Sequence, residues 1–336
     1  MSTQDLDKGG SMDTEWDYVS LQRRLRSGIR VLYKVGKTNN TARSFFYLGL
    51  CILSWGLIPV VTKNILVELN SLQMLFYSTI FSCIVMFGIV LFQKKISILT
   101  TYSIYDYTKI GMLGFLGTYL YYVLLYAALA LTSASEGFIL AYTWPMLVII
   151  LAFPLLKERL TLKKLCSILV SFFGIVVIVT HGSIFSLSFT SLQGDILALG
   201  GAVVFALFSV LGKKYQYDQV VSVFIYFVTA LVFITPTLFL FSSLKIPSLH
   251  IWLWLLLNGF LVNGISYIFW FKALEYGDTS VTSNALYLTP FLSLVYIALF
   301  LGEQILLSSI VGLVVIVAGI ILQSVTLRQK VAVREE

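Results

Sequence analysis

Long apolar segments that recur along the whole chain constrain its fold more than any other feature. A helix rises about 1.5 Å per residue, so it needs roughly 20 predominantly apolar residues to cross the hydrocarbon core of a bilayer. Ten such runs alternate with short polar connections, and Glu136 is the only Asp, Glu, Lys or Arg inside them. The sequence therefore predicts an all-α membrane protein with ten transmembrane helices, at 44–62, 72–92, 110–131, 135–156, 165–180, 196–212, 220–241, 250–271, 280–301 and 305–324.

The composition argues against two other classes of protein. The chain is 58% hydrophobic and 12% charged, whereas soluble domains average about 25% charged residues. Its net charge of +7 does not indicate a nucleic-acid partner, because the basic residues lie in gaps between apolar runs and not on one face. The three cysteines lack the spacing of a metal site or a disulfide framework. We expect contact with a lipid bilayer, and no nucleic acid, metal or cofactor.

The distribution of basic residues predicts the orientation in the membrane. If the N-terminus is cytoplasmic, the inner segments hold all of the 23 Lys and Arg residues except Lys63 and Lys245. Cytoplasmic connections of membrane proteins carry such an excess. We therefore predict a multi-pass protein of the bacterial cell membrane, the inner membrane, with both termini in the cytoplasm.

Two terminal segments lie outside the predicted spans, a cytoplasmic arm over 1–43 and a cytoplasmic tail over 325–336. Within the arm, residues 19–37 place apolar side chains at helical spacing among Arg and Lys. This pattern is typical of an amphipathic helix on an anionic leaflet. Such a helix would anchor the topology or serve as a regulatory or docking element.

The chain also repeats itself. Residues 128–175 align without a gap with 273–320, at a constant offset of 145 positions. Each half, 44–180 and 194–324, holds five predicted spans, and five is odd, so the second half enters the membrane from the opposite side. Inverted repeats of this kind are the architecture of many secondary transporters; the alternative is a duplication that only enlarged a scaffold. The most informative identical pairs are Tyr142/Tyr287, Pro145/Pro290, Glu158/Glu303 and Gly174/Gly319.

Several short segments, most of them doubled, resemble one transporter family. They are Ala127-Ala128-Leu129, Ser133-Ala134-Ser135, Tyr142 to Pro145 and Leu156 to Thr161, with Ala273-Leu274, Thr279 to Val281, Tyr287 to Pro290 and Leu301 to Glu303 in the second half. Together they resemble the drug/metabolite transporter superfamily, and within it the ten-helix EamA-type carriers. The resemblance implies two EamA-like five-helix repeats that move a small molecule.

Two details of the resemblance bear on the substrate. Tyr142-Thr143-Trp144-Pro145 is similar to a segment of the family's aromatic amino-acid exporters. Many relatives carry Arg in the second span, where this chain reads Phe76-Tyr77-Ser78. A role of that Arg in recognising anions therefore does not carry over.

Eight residues are predicted to line the substrate pathway. The two prolines would kink the fourth and ninth spans and free a carbonyl group, or adjust helix packing. The aromatic residues would stack a planar or amphipathic solute, or mark the membrane interface. The asparagines would bond the substrate, or join helices. The eight are Trp55, Tyr142, Pro145, Asn263, Tyr267, Asn284, Tyr287 and Pro290.

Charged residues near the span ends have separate interpretations. Glu136 would act as a gate or proton-coupling group, because an ionisable residue in a span is costly, or it would begin its helix. Glu158 and its repeat counterpart Glu303 fall in connections, where capping the next helix or pairing with Lys157 or Arg159 is expected. Lys272, Glu275 and Asp278 form an interfacial charge group at the end of the eighth span.

No charged residue lies at mid-membrane, which favours a substrate that is neutral or zwitterionic overall. We predict a secondary transporter that exports a small metabolite, an amino acid or a derivative, across the cytoplasmic membrane by alternating access. The alternative within transport is uptake or exchange of a nucleoside-like metabolite such as S-adenosylmethionine. A membrane enzyme is disfavoured because the spans hold no paired catalytic groups; a lipid flippase or a receptor is the remaining alternative. We expect a monomer or a homodimer.

Overall fold

Ten apolar helices dominate the computed structural model. It describes residues 40–131, 134–183, 185, 191–302 and 304–332, and the side chains of 134–136, 138 and 324–332 lie outside this description. The amphipathic helix predicted over 19–37 and the side chain of Glu136 are therefore outside the described residues, as is Glu303. The described part contains no strand, and the helices form one compact unit that begins at Ser44.

Nine of the described helices are long and apolar enough to cross a membrane, and Leu307–Gln323 supplies a shorter tenth run. A short helix, Ile96–Thr101, lies in the connection after the second span. We number the spans in chain order. They are α1 Asn40–Leu66, α2 Ser71–Phe92, α3 Ile104–Leu131, α4 Ala134–Ala141 with Trp144–Leu156, α5 Leu162–Val179, α6 Leu192–Lys214, α7 Gln219–Phe241, α8 Leu249–Tyr276, α9 Thr279–Ala285 with Leu288–Leu301, and α10 Leu307–Ala332.

The helix count confirms the ten predicted spans. Some of the predicted helix ends are wrong. The third span begins at Ile104 and not at 110, and the eighth extends to Tyr276 and not 271. Both additions are polar or charged turns that continue a helix beyond its apolar core. A hydropathy pattern locates the part of a helix that lies in hydrocarbon, while backbone hydrogen bonding continues past it.

The 145-residue offset of the sequence repeat also describes the structure. It carries the bounds of α3, Ile104–Leu131, onto those of α8, Leu249–Tyr276. Both helices contain a π-helical turn at matching places, Phe115–Leu120 and Asn258–Ile265. The fourth span of each half ends on a left-handed residue, Lys157 at φ 58° and Gly302 at φ 71°. The structure therefore has two five-helix repeats, and their odd number makes them inverted.

The two halves interlock through the π-helical turns. In the first half, Thr118 Oγ1 donates to the Tyr226 carbonyl of α7 at 2.9 Å. In the second half, the Gly259 carbonyl accepts from Ser82 Oγ of α2 at 2.9 Å. A Cβ on Gly259 would lie 2.4 Å from Phe81, so the absence of a side chain permits this close approach. Small and hydroxyl residues join membrane helices in this way because lipid offers them no partner.

The last helices of the halves, α5 and α10, pack closely along a line of small residues. The two backbones approach closely at Gly174, where an added Cβ would lie 2.6 Å from the Gly312 carbonyl oxygen. Ser167 Oγ donates to the Gly319 carbonyl at 2.6 Å. Large apolar side chains such as Phe92 lie outside the bundle, with an exposed fraction of 89%. This outward apolar surface suits contact with lipid.

Candidate substrate pathway

Buried aromatic rings fill the centre of the bundle. Trp55 of α1 lies 6.2 Å from Trp144, 6.0 Å from Tyr267 and 5.9 Å from Trp270, between ring centroids. Its indole N–H donates to Ser266 Oγ at 2.8 Å, so a buried polar atom has a partner. We call Trp55, Trp144, Phe205, Phe208, Tyr267 and Trp270 the central aromatic cluster. It joins α1, α4, α6 and α8, and so connects the two halves.

A large cavity lies at the end of the bundle where the α2–α3, α4–α5, α6–α7 and α8–α9 connections meet. We call this the basic end, because those connections and the helix ends that flank them hold nine of the 15 lysines. The basic-end cavity has a volume of about 710 Å³, within the roughly 300–1,000 Å³ of small-molecule sites. Both halves contribute to its wall, which includes Tyr47, Ile89, Gln93, Val220, Phe269 and Lys272.

Charged side chains occupy the rim of this cavity. Lys95 pairs with Asp218 at 2.7 Å, and Lys213 pairs with Glu158 at 3.1 Å. Tyr217, another lining residue, donates its hydroxyl to Asp106 at 2.8 Å. Desolvation, followed by this bond to a carboxylate, raises the pKa of Tyr217 to about 12. The tyrosine therefore stays neutral at physiological pH and acts as a hydrogen-bond donor.

A second, much smaller cavity of about 20 Å³ lies deeper along α8. Asn263, Asn258 and Tyr122 line it, and Tyr122 OH donates to Asn263 Oδ1 at 3.3 Å. This volume holds about one water molecule. Along α8 the small cavity ends at Asn263 and the large one begins at Ile265. The two cavities therefore meet the same helix at successive levels.

Two tyrosines related by the repeat touch beside the small cavity. Tyr267 OH donates to Tyr122 OH at 3.3 Å and lies 3.4 Å from the Gly117 carbonyl. A second repeat-related pair lies elsewhere, with Tyr287 OH donating to the Tyr142 carbonyl at 3.2 Å. Each contact joins residues 145 positions apart, so both pairs mark places where the halves meet along their symmetry axis.

The fourth spans of both halves are interrupted just before the prolines that were predicted to kink them. In α4 the helix stops at Ala141 and restarts at Trp144, with Pro145 in the first turn of the new segment. In α9 it stops at Ala285 and restarts at Leu288, two residues before Pro290. A first-turn proline removes no helical hydrogen bond, because that N–H has no partner in a helix. Tyr142 and Tyr287 lie in the breaks themselves.

Asn284 lies just before the break in α9 and is fully buried. Its amide nitrogen donates to Ser167 Oγ of α5 at 2.8 Å and to Gln323 Oε1 of α10 at 2.7 Å. These contacts match the helix-joining alternative. A substrate-binding role for Asn284 stays a prediction.

The α4–α5 connection is tied to the second half at the basic end. Glu158 accepts from Thr279 Oγ1 at 2.5 Å and from Lys213 Nζ at 3.1 Å. Nearby, Lys164 pairs with Asp278 at 3.0 Å. The expected pairing of Glu158 with Lys157 or Arg159 is therefore wrong, because the fold brings residues of α6 and α9 to this carboxylate.

At the opposite end, the α1–α2 connection meets the α7–α8 connection. Asn70 Nδ2 donates to Ser242 Oγ at 2.6 Å, and Lys245 Nζ donates to the Glu68 carbonyl at 2.8 Å. Hydrogen bonds from the side chain and backbone of Ser248 hold the pKa of Glu68 below its ordinary value of 4.5. Polar contacts therefore join the halves at this end as well.

The predicted pathway residues do not gather in one place. Trp55 and Tyr267 lie in the central aromatic cluster, and Asn263 lines the small cavity. The others lie around the breaks of α4 and α9, namely Tyr142, Pro145, Asn284, Tyr287 and Pro290. The sequence interpretation missed Lys272 and Glu275 as cavity residues, since it placed them at the membrane interface. The available sequence signal was their spacing of three residues, which places both on one face of α8.

Comparisons with known proteins agree with this architecture. The model of the EamA-like transporter family matches twice, over residues 43–180 and 192–325. The uncharacterized transporter YyaM of Bacillus subtilis is 26% identical over 223 residues, which is 65% of this chain and 73% of that protein. An uncharacterized transporter of Archaeoglobus fulgidus is 24% identical over 285 residues, 84% of this chain and 97% of the relative.

A solved crystal structure has the same fold. Its TM-score is 0.76 at 20% identity, and the alignment covers 87% of this chain and 98% of the solved one. The family model matches one segment in each half, and together the segments span more than half of the chain. The chain belongs to the EamA-like transporter family and is a membrane transporter.

Proposed function

We propose that the protein moves a small neutral or zwitterionic metabolite, an amino acid or a derivative, by alternating access. The basic-end cavity carries this proposal, because it lies between the inverted halves and has the volume of a small-molecule site. Ile89, Ile268 and Phe269 give its wall apolar surface, and paired charges lie at its rim. A strongly anionic substrate would require unpaired cationic side chains near mid-membrane.

The repeat supports the mechanism. Two inverted halves can adopt two related arrangements, one open to each side of the membrane. We propose that segments 44–180 and 194–324 are the units that exchange these arrangements. The cavity is open at the basic end, which the distribution of lysines predicts to be cytoplasmic. Loading from that side favours export.

The protein acts, in this proposal, in the bacterial cell membrane with both termini in the cytoplasm, as a monomer or a homodimer. It needs no cofactor and leaves its substrate chemically unchanged. Labelling of single cysteines at Lys63 and at Lys94 with an impermeant thiol reagent tests the orientation. In intact cells, only the cysteine at position 63 is expected to react with the reagent. Reaction of the cysteine at position 94 alone would contradict the orientation.

A substrate panel in proteoliposomes tests the function. Purified full-length protein is reconstituted, and counterflow of each of the twenty amino acids is measured with S-adenosylmethionine and a fluorescent phospholipid in parallel. Saturable counterflow of one or more amino acids is expected. Saturable counterflow of S-adenosylmethionine without any amino acid favours the nucleoside-like alternative. Lipid scrambling without solute flux identifies a flippase and contradicts the proposal.

A further inference from the structure

We propose that Lys272 and Glu275 of α8 form a recognition pair for the zwitterion of an α-amino acid inside the basic-end cavity. The Lys272 ammonium receives the substrate carboxylate, and the Glu275 carboxylate receives the substrate ammonium. This inference rests on the proposed function, and it names the two groups that select the substrate.

The position of the two residues matches the shape of the ligand. Both line the cavity of about 710 Å³ near the end of α8. Residues three apart on a helix lie on one face, with Cβ atoms about 5–6 Å apart. The carboxylate and ammonium of an α-amino acid are bonded to the same carbon, so one molecule can reach both side chains. Ile265, Ile268 and Phe269 lie next to them and offer apolar surface to the rest of the substrate.

Lys272 and Glu275 differ from the other charged residues of this cavity. Lys95 and Lys213 are neutralised by Asp218 at 2.7 Å and by Glu158 at 3.1 Å. In the part of the chain that the structure describes, Lys272 and Glu275 form no ion pair, with each other or with a third residue. One positive and one negative group therefore face the cavity with their charge-assisted bonds unmade.

Aromatic rings hold Lys272 in place without using its hydrogen-bond donors. Its Nζ lies 5.7 Å from the ring centroid of Tyr47 and 5.7 Å from that of Tyr276. These rings are stacked, 5.9 Å apart. The cation–π attraction positions the ammonium group at small cost in side-chain entropy. Its N–H bonds are still available to a carboxylate.

A second lysine provides a matched control. Lys109 Nζ lies 4.0 Å from the Tyr105 ring centroid and 5.0 Å from that of Tyr215, also at the basic end. It has the same cation–π setting but does not line the cavity. A substitution there removes the same charge and the same ring contact. It should therefore reproduce any general effect on folding or membrane insertion, and none on substrate selection.

Selectivity in proteoliposomes tests the pair. For the amino acid with the fastest counterflow, its α-amide and its N-acetyl derivative are added as competitors. The amide lacks the carboxylate, and the N-acetyl derivative lacks the ammonium. The wild type is expected to bind each competitor at least tenfold more weakly than the amino acid itself.

The variants should separate the two groups. K272Q is expected to raise KM for the amino acid about tenfold with kcat within twofold, and to lose discrimination against the amide alone. E275Q is expected to lose discrimination against the N-acetyl derivative alone. K272R should keep the wild-type pattern, and K109Q should keep both the KM and the selectivity. Substitution of a residue that only stabilises the fold would not remove discrimination against one competitor while keeping discrimination against the other.

Two results would overturn the inference, and only one of them would also contradict the proposed function. In the first, K272Q and E275Q show saturable counterflow and still discriminate against both the α-amide and the N-acetyl derivative. This result contradicts the recognition pair and leaves the proposed function standing. Absence of counterflow for every amino acid in the wild type contradicts both.

Discussion

At the scale of single residues, close packing around the π-helical turns decides what the chain tolerates. A Cβ added to Gly117 would lie 2.2 Å from the Phe208 ring. We expect Gly117→Ala to destabilise the protein by about 1–3 kcal/mol, because the ring has to move within a filled cluster. The measurement is the thermal midpoint of the purified protein in detergent. Gly88→Ala is the control, since nothing lies within 4 Å of its added Cβ, and an equal loss there would contradict the packing argument.

Two asparagines that look alike in the sequence should behave differently when changed. Asn284 donates to Ser167 and Gln323 between helices, whereas Asn263 lines the small cavity. Asn284→Ala should therefore lower stability by about 1 kcal/mol, the order of an interhelical bond in a membrane protein. Its KM for the transported substrate should stay within twofold. Asn263→Ala should raise KM and change the thermal midpoint less; the reverse pattern would exchange the two roles.

The sequence left two places open for the aromatic pathway residues, a site that stacks the solute and the membrane interface. Trp55 and Tyr267 are both buried in the central aromatic cluster. Lys272 and Glu275 were not expected in a cavity, because a charged residue at the end of an apolar run is compatible with interface or pathway. Only the packing of α8 against α1 and α2 distinguishes these places. Sequence spacing does not contain that packing.

At the scale of helices, the breaks in α4 and α9 place each proline where it has little effect on stability. Pro145 lies in the first turn of Trp144–Leu156, where it interrupts no backbone hydrogen bond. We expect Pro145→Ala to change stability by less than about 1 kcal/mol, chiefly through the freedom of the unfolded chain. Thermal midpoints in detergent measure it. A loss as large as that of Gly117→Ala would indicate that the proline shapes the helix.

The connections at the opposite end should respond to acid. Hydrogen bonds from Ser248 lower the pKa of Glu68 from its ordinary 4.5, so folding favours its carboxylate. Its stabilising effect is therefore complete above pH 4.5 and is lost as the pH falls through the lowered value. Comparison of thermal midpoints from pH 7 to pH 3 should show the wild type approaching Glu68→Gln at the acid end. A constant difference between them would show that the charge of Glu68 has no part.

Helices were predictable in number because the bilayer imposes one length on all of them, and less so in detail. The offset of 145 residues correctly related α3 to α8. The π-helical turns at Phe115–Leu120 and Asn258–Ile265 were not predicted, although the repeat aligns the identical pairs Phe115/Phe260 and Leu116/Leu261. These turns arise where a neighbouring helix approaches the backbone. They depend on contacts between the halves and not on local propensity.

At the scale of the whole molecule, polar contacts join the halves at both ends while a cavity opens at the basic end. At the opposite end, Asn70 Nδ2 of the α1–α2 connection donates to Ser242 Oγ of the α7–α8 connection at 2.6 Å. In alternating access the two halves must separate at one end and approach at the other. Because the cavity is already open at the basic end, the contact at the opposite end is the one that has to open, and holding it closed should block movement.

A reversible crosslink at that contact tests alternating access most directly. Cysteines replace Asn70 and Ser242, and serine replaces Cys166, the native cysteine that is exposed. A short bifunctional thiol reagent with a cleavable disulfide then joins the pair in proteoliposomes, and counterflow is measured before and after reduction. Crosslinking is expected to lower the flux at least tenfold, reduction to restore it fully, and the reagent to have no effect on either single-cysteine variant. Unchanged flux through the fully crosslinked protein would contradict alternating access between the two halves.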